Sequence, residues 1–202
     1  MLYKFLSGLA KGVTHCIFRV KVMGKENVPK DGGMILAVNH KSNWDPIFAG
    51  AYCPRPLRFM AKADLFKNKL FGGLIKKLGA FPIQRGRGDI GAIKGAFSIL
   101  KNNDAMLIFP EGHRIKNGKR VKAKLGVSMI AVYAKVPVIP LCISGEYKPF
   151  HKVTVTFGKP ITFEEYYGKK PDNETLQTLA DEVMQTIYSF DNTDIKKTGE
   201  QK

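Results

Sequence analysis

His40 and Asp45 are separated by four residues in the polar stretch NHKSNWDPIF (39–48), which breaks two apolar segments. A neutral imidazole takes a proton on one ring nitrogen when its other nitrogen is held by an acceptor, and a carboxylate across a tight turn can be that acceptor. The pair can therefore act as a general base with its orienting carboxylate. The same stretch also fits a helix start: SNWD has the spacing of a capping box, and Pro46 suits a first helical position. Both readings remain open at this level. No GxSxG elbow is present, and no cysteine stands in a recognisable reactive context. A base at His40 must then activate a hydroxyl that the substrate brings, which points to direct group transfer without a covalent enzyme intermediate.

A second constellation is FPEGHR, Phe109 to Arg114. Gly112 allows close backbone approach, Arg114 offers a planar fork suited to phosphate, and Glu111 can orient a guanidinium or a hydroxyl. The following residues add Lys116, Lys119, Arg120, Lys122 and Lys124 with no acid, so anions should accumulate there. A turn with a surface ion pair would use the same residues. The third constellation, AFPIQRGRGDIG, holds Gly86, Gly88 and Gly91 in GxGxxG spacing. It makes a poor dinucleotide site, because Pro82 is awkward in a central strand and Arg85 and Arg87 crowd the glycine turn. Arg85 reads better as a second phosphate ligand.

These breaks each follow a short apolar run. MILAV precedes His40, AMLIF ends at Phe109 and AFPIQ precedes Arg85, while LRFMAK, VPVIPLCI and KVTVTF read as further strands and FRVKVMG alternates as a half-buried one. Between them, PIFAGAYC, KLFGGLIKKLG, DIGAIKGAFSILKNN, LGVSMIAVYAK and DNETLQTLADEVMQTIYSF carry helical spacing. Strands alternating with helices predict a single α/β domain with a mostly parallel sheet flanked by helices. In such a sheet, ligand sites collect at the carboxyl ends of strands. Ahead of the domain, Leu2, Phe5, Leu6, Leu9, Val13, Cys16 and Ile17 recur at helical spacing. That predicts an amphipathic helix over residues 1–18, packed on the core or lying on lipid. The domain should run over 19–190, followed by a polar tail at 191–202.

The chain has 202 residues, with 33 Lys and Arg against 17 Asp and Glu, a net charge of +16. Such a balance calls for an anionic partner. Nucleic acid fits poorly, because the run from Arg114 to Lys124 has no aromatic residues for base stacking. The scattered Cys16, Cys53 and Cys142 form no CxxC pair, which suggests a reducing compartment without a disulfide framework or a zinc or other metal site. Lys4 and Lys11 interrupt the N-terminal apolar stripe, so no signal peptide is expected. Leu125 to Gly145 is long and apolar, yet Pro137, Pro140 and Lys135 argue against a spanning helix and for a buried helix followed by a buried strand.

Asn39–Asp45, Gly79–Arg85, Phe109–Arg114 and Val136–Pro140 together resemble, in order and spacing, the sequence blocks of the lysophospholipid acyltransferase family, and within it the 1-acylglycerol-3-phosphate acyltransferases. The resemblance covers roughly residues 20–160. It implies that His40 deprotonates the free glycerol hydroxyl, that Asp45 orients it, and that the hydroxyl attacks an acyl thioester of CoA or acyl carrier protein with no further cofactor. It also implies that Arg85, Glu111, Gly112 and Arg114 hold the phosphate of lysophosphatidic acid, helped by Lys62, and that Val136–Pro140, ending at Pro140, shapes the acyl or acceptor pocket. Two positions depart from the family pattern: His113 stands where Thr or Ser is usual, and Pro82 falls inside the second block. The implied setting is the cytoplasmic face of an anionic membrane, with peripheral or monotopic attachment and no transmembrane helix.

Overall fold

The computed structural model describes residues 2–83, 90–115 and 120–191. The N-terminal helix α1 (Leu2–Ile17) leads into β1 (Arg19–Met23), and β2 (Met34–Val38) into α2 (Asp45–Tyr52). Next come β3 (Leu57–Lys62), α3 (Lys69–Lys77), β4 (Ala80–Ile83), α4 (Ile90–Lys101) and β5 (Ala105–Ile108). The chain ends with α5 (Gly126–Ala134), β6 (Val138–Gly145), β7 (Lys152–Phe157) and α6 (Asn173–Ser189). Among the described residues the strands form one 7-stranded sheet in the order β1-β7-β6-β2-β5-β3-β4. All pairings are parallel except that of β6 with β7. The architecture is the expected α/β domain.

A parallel sheet must be covered on both faces, so its central strands are apolar on both sides. Every residue of β2 is buried. Met34, Leu36 and Val38 pack with Phe48, Ala49 and Tyr52 of α2, whereas Ile35 and Ala37 pack with α4, α5 and α6. The last of these is capped by Asp172, whose carboxylate accepts the Thr175 amide at 2.8 Å. Pro82 is tolerated because β4 is the edge strand, where a missing N–H costs no ladder bond on the open side.

The long apolar stretch 125–145 divides as its prolines and lysine predict. It forms α5, a left-handed Lys135 at the helix end, and then β6. Among the described residues no helix is long and apolar enough to cross a membrane.

Helix α1 reverses the usual arrangement. It packs on α2 through its small and polar side: Ser7 donates to the Gly50 carbonyl at 3.2 Å, and the Thr14 and Tyr52 hydroxyls lie 2.8 Å apart. Its apolar row of Leu2, Phe5, Leu9 and Val13 faces outward. The opposite side serves the core, where Ala10 and Ile17 pack against the cluster that includes Phe48 and Tyr52.

Candidate active site

The sheet order brings the breaks together. β5 lies between β2 and β3 in register, with Ala37 beside Ile108 and Phe59 beside Leu107. The carboxyl ends of the three strands therefore release residues 39–45, 109–115 and Lys62 at one edge of the sheet, where α/β ligand sites form.

Asn39 fixes the first loop. Its buried amide group donates to the Ile143 carbonyl at 3.1 Å and accepts the Ile143 N–H at 2.8 Å, so the side chain extends the ladder towards β6. His40 follows, with Nδ1 2.9 Å from Asp45 Oδ2. Asp45 is wholly buried. Its Oδ2 also accepts the N–H groups of Lys41 and Ser42, each at 2.6 Å, and its Oδ1 accepts the Tyr147 hydroxyl. Asp45 opens α2, and its oxygens go to the preceding loop, including the Ser42 N–H that a capping box would bond, and to the imidazole. An acceptor at Nδ1 places the ring proton there and leaves Nε2 basic. Phe109 stacks on the imidazole, with centroids 4.0 Å apart, and fixes the ring plane.

The second loop turns sharply at Gly112, whose φ of 75° favours glycine. The turn sends Glu111 inward and Arg114 outward. Glu111 Oε2 accepts the His40 backbone N–H at 2.6 Å, and Oε1 accepts the Tyr188 hydroxyl of α6 at 3.2 Å. The Ile115 N–H donates to the His40 carbonyl at 2.7 Å, so this loop grips the histidine backbone on both sides. Burial raises the Glu111 carboxyl to about 7, against the lowering effect of those two hydrogen bonds. Glu111 therefore braces the His40 loop, with both carboxyl oxygens engaged inside the protein. Arg114 is exposed and donates to Asn43 Oδ1 at 2.9 Å.

His40, Lys62, Gly112, His113 and Arg114 line one cavity of about 680 Å³. Its floor is apolar, formed by Phe59, Met60, Leu107 and Phe109, and its rim is basic. Lys62 pairs with Asp64 at 2.7 Å. Pro140 does not join them: it sits inside β6 beside Ala37, because that sequence block builds a central strand. Arg85 lies outside the described residues, as do Gly86 and Gly88 of the glycine-rich stretch. Tyr147 and Tyr188 are supporting residues that local sequence reading missed. Tyr147 lies two residues beyond β6, and burial followed by the Asp45 charge raises its phenol far above the usual range, so it remains a donor. Tyr188 is pushed up to about 12 by burial and by Glu111. Neither has a local signal, since their partners are distant in sequence.

Comparison with known proteins shows the family. The sequence model of the Acyltransferase family matches residues 19–144. The chain is 31% identical over 197 residues to the 1-acyl-sn-glycerol-3-phosphate acyltransferase of Bacillus subtilis (strain 168), covering 95% of this chain and 98% of the relative. It is 33% identical over 200 residues to the protein of the same name from Streptococcus pneumoniae, covering 95% of this chain and 74% of the relative. The fold superimposes, with a TM-score of 0.74 and 28% identity, on the crystal structure of the 1-acyl-sn-glycerophosphate (LPA) acyltransferase PlsC from Thermotoga maritima. That match covers 93% of this chain and 78% of the other.

Proposed function

The chain belongs to the acyltransferase family, and on that premise we propose that it moves a fatty acyl group from a thioester donor, acyl-CoA or acyl carrier protein, to the free hydroxyl of 1-acylglycerol-3-phosphate. The product is phosphatidic acid. The observation that carries this reading is the pairing of His40 with the buried Asp45 beside a cavity that His40 lines, whose lining among the described residues holds no Ser, Thr or Cys to act as nucleophile. Burial pushes the Cys53 and Cys142 thiols up to about 11 and about 12, which leaves them poor nucleophiles.

In this mechanism His40 Nε2 removes the proton of the glycerol hydroxyl as its oxygen attacks the thioester carbonyl. The tetrahedral intermediate collapses, the C–S bond breaks, and the imidazolium returns the proton to the departing thiolate. Asp45 holds Nδ1–H throughout and stabilises the transient imidazolium. Arg114 and Lys62 supply the cationic rim for the acceptor phosphate, with Arg85 as a further ligand, and Gly112 lets the backbone turn beneath it. No cofactor beyond the donor is needed.

The lipid tail has a place as well. An apolar cavity of about 200 Å³ between α1, α2 and β3 shares Pro46, Phe59 and Leu107 with the larger one. The outward apolar row of α1 suits peripheral attachment to the cytoplasmic face of an anionic membrane, where each basic residue near the surface contributes about 1 kcal/mol.

The test is thiol release from acyl-CoA and from acyl carrier protein with a panel of lysolipid acceptors. Release should depend on lysophosphatidic acid, and His40→Ala should lower turnover by about 10³-fold. Near wild-type turnover of His40→Ala would remove His40 from the mechanism.

A further inference from the structure

Helix α3 presents a second outward apolar face that the reaction leaves unused. Its inner side is fixed: Gly72 approaches the Phe66 backbone so closely that a Cβ there would meet the Phe66 Cα at 2.8 Å, and Ile75 packs in a small cluster with Ala61 and Ala80. Asn68 caps the helix by accepting the Phe71 N–H at 3.0 Å. With that side buried, Leu70 is left 88% exposed and Phe71 and Leu74 about half exposed. A short helix with one exposed leucine is ordinary. A helix that exposes an entire apolar row is not.

Charge surrounds the row. Lys69, Lys76 and Lys77 lie in α3 and Lys67 just before it, all exposed, and the helix itself contains no acid. The nearest acid, Asp64, pairs with Lys62 and Lys67. The row is also continuous with both cavities. Leu78, one turn beyond Leu74, lines the apolar cavity, and Leu65 lines the larger one. Across the apolar cavity stands Leu6 of α1, next to the outward row of that helix.

We propose that α3 is a second lipid-contacting element, which seats Leu70, Phe71 and Leu74 among the acyl chains of an anionic bilayer while Lys67, Lys69, Lys76 and Lys77 pair with its phosphates. The inference rests on the acyltransferase reading only for its purpose, which is to let a lipid acceptor pass from the bilayer between α1 and α3 into the cavities. An acidic protein partner would be attracted by the same lysines. The bilayer fits better, because the apolar row is exposed along the helix and the flanking lysines can reach outward to phosphates while their stems lie on the apolar boundary.

The experiment is co-sedimentation of the full chain with vesicles of phosphatidylcholine, with and without phosphatidylglycerol at roughly a third of the lipid. Leu70→Gln/Leu74→Gln should lower binding to the anionic vesicles by about tenfold or more. Lys69→Gln/Lys76→Gln should remove most of the dependence on phosphatidylglycerol. Both should keep the wild-type melting temperature, because the substituted side chains are exposed. Thiol release with a short-chain acceptor dispersed as monomers should be unchanged in the leucine variant, and release with long-chain acceptor in vesicles should fall with binding.

Vesicle binding by the leucine variant equal to wild type would overturn the proposal, leaving α1 as sufficient. Equally, loss with the lysine variant but not the leucine variant would overturn it in favour of charge-only adhesion without insertion of the apolar row. Failure of wild type to release thiol with lysophosphatidic acid would instead sink the functional reading, and the vesicle result would stand by itself.

Discussion

The two sides of the cavity are built to different standards. On one side, Asp45 is wholly buried and held by two backbone N–H groups, the imidazole and Tyr147, and the His40 backbone is gripped by Glu111 and Ile115. On the other, Arg114 is exposed and donates to Asn43, and Lys62 is exposed beside Asp64. On the proposed mechanism the difference has a reason: a proton moves only between atoms whose separation is fixed to a fraction of an ångström, which calls for a base held by its surroundings. A phosphate is attracted over a longer range and tolerates several geometries, which allows its proposed ligands to stay exposed. The difference teaches where substitutions should be fatal and where they should be graded.

Asp45→Asn should strike hardest. An amide oxygen at the Oδ2 position can still accept the loop N–H groups and Nδ1–H, but it has no charge to stabilise an imidazolium, and the NH2 group faces the Tyr147 hydroxyl in place of an acceptor. We expect turnover to fall by about 10³-fold or more, with acceptor KM little changed. Arg114→Ala should raise acceptor KM by about tenfold and spare turnover, with an effect that shrinks at high salt. If Arg114→Ala lost turnover as severely as Asp45→Asn, the contrast between rigid base and tolerant rim would collapse.

Tyr147→Phe sharpens the buried side. Removing the hydroxyl leaves Asp45 Oδ1 without that donor and makes the carboxylate a stronger base towards His40. The acidic limb of the kcat/KM profile should then move to higher pH, with an activity loss of about tenfold. A purely structural tyrosine would lower stability without moving the limb.

Glu111→Gln should have the smallest effect, seen in stability against pH. Unfolded Glu111 releases its proton near 4.5, whereas burial holds it in the folded protein to about 7. The folded state therefore binds more protons in that window, and stability falls as pH rises through it. A glutamine, neutral throughout, removes that loss. From about pH 5 to about pH 8, denaturant unfolding should show the variant gaining on wild type by on the order of 1–2 kcal/mol. A flat difference would show that Glu111 is not desolvated as described.

Much of this was legible in the chain. The apolar runs and helical spacings are local properties, which is why MILAV, AMLIF and LGVSMIAVYAK became the elements they predict. The meeting of the His40 and Asp45 side chains was equally local, since it spans one turn. The inward turn of Glu111 was not legible, because whether a carboxyl faces solvent or a backbone N–H depends on the strand beside it. The strand around Pro140 was legible, but its neighbour Ala37 was not, because register is set between distant segments.

The sequence by itself determined the alternation of strands and helices, the His40–Asp45 turn, the basic charge and the amphipathic character of the first helix. Tertiary structure decided that β5 lies between β2 and β3 and so brings Lys62 and Arg114 to the histidine. It also decided that Tyr147 and Tyr188 support the site, and that the apolar rows of α1 and α3 point away from the core. Periodicity is written in neighbouring residues. Adjacency and outwardness exist only once distant segments have packed, because each depends on which surface the rest of the chain has left uncovered.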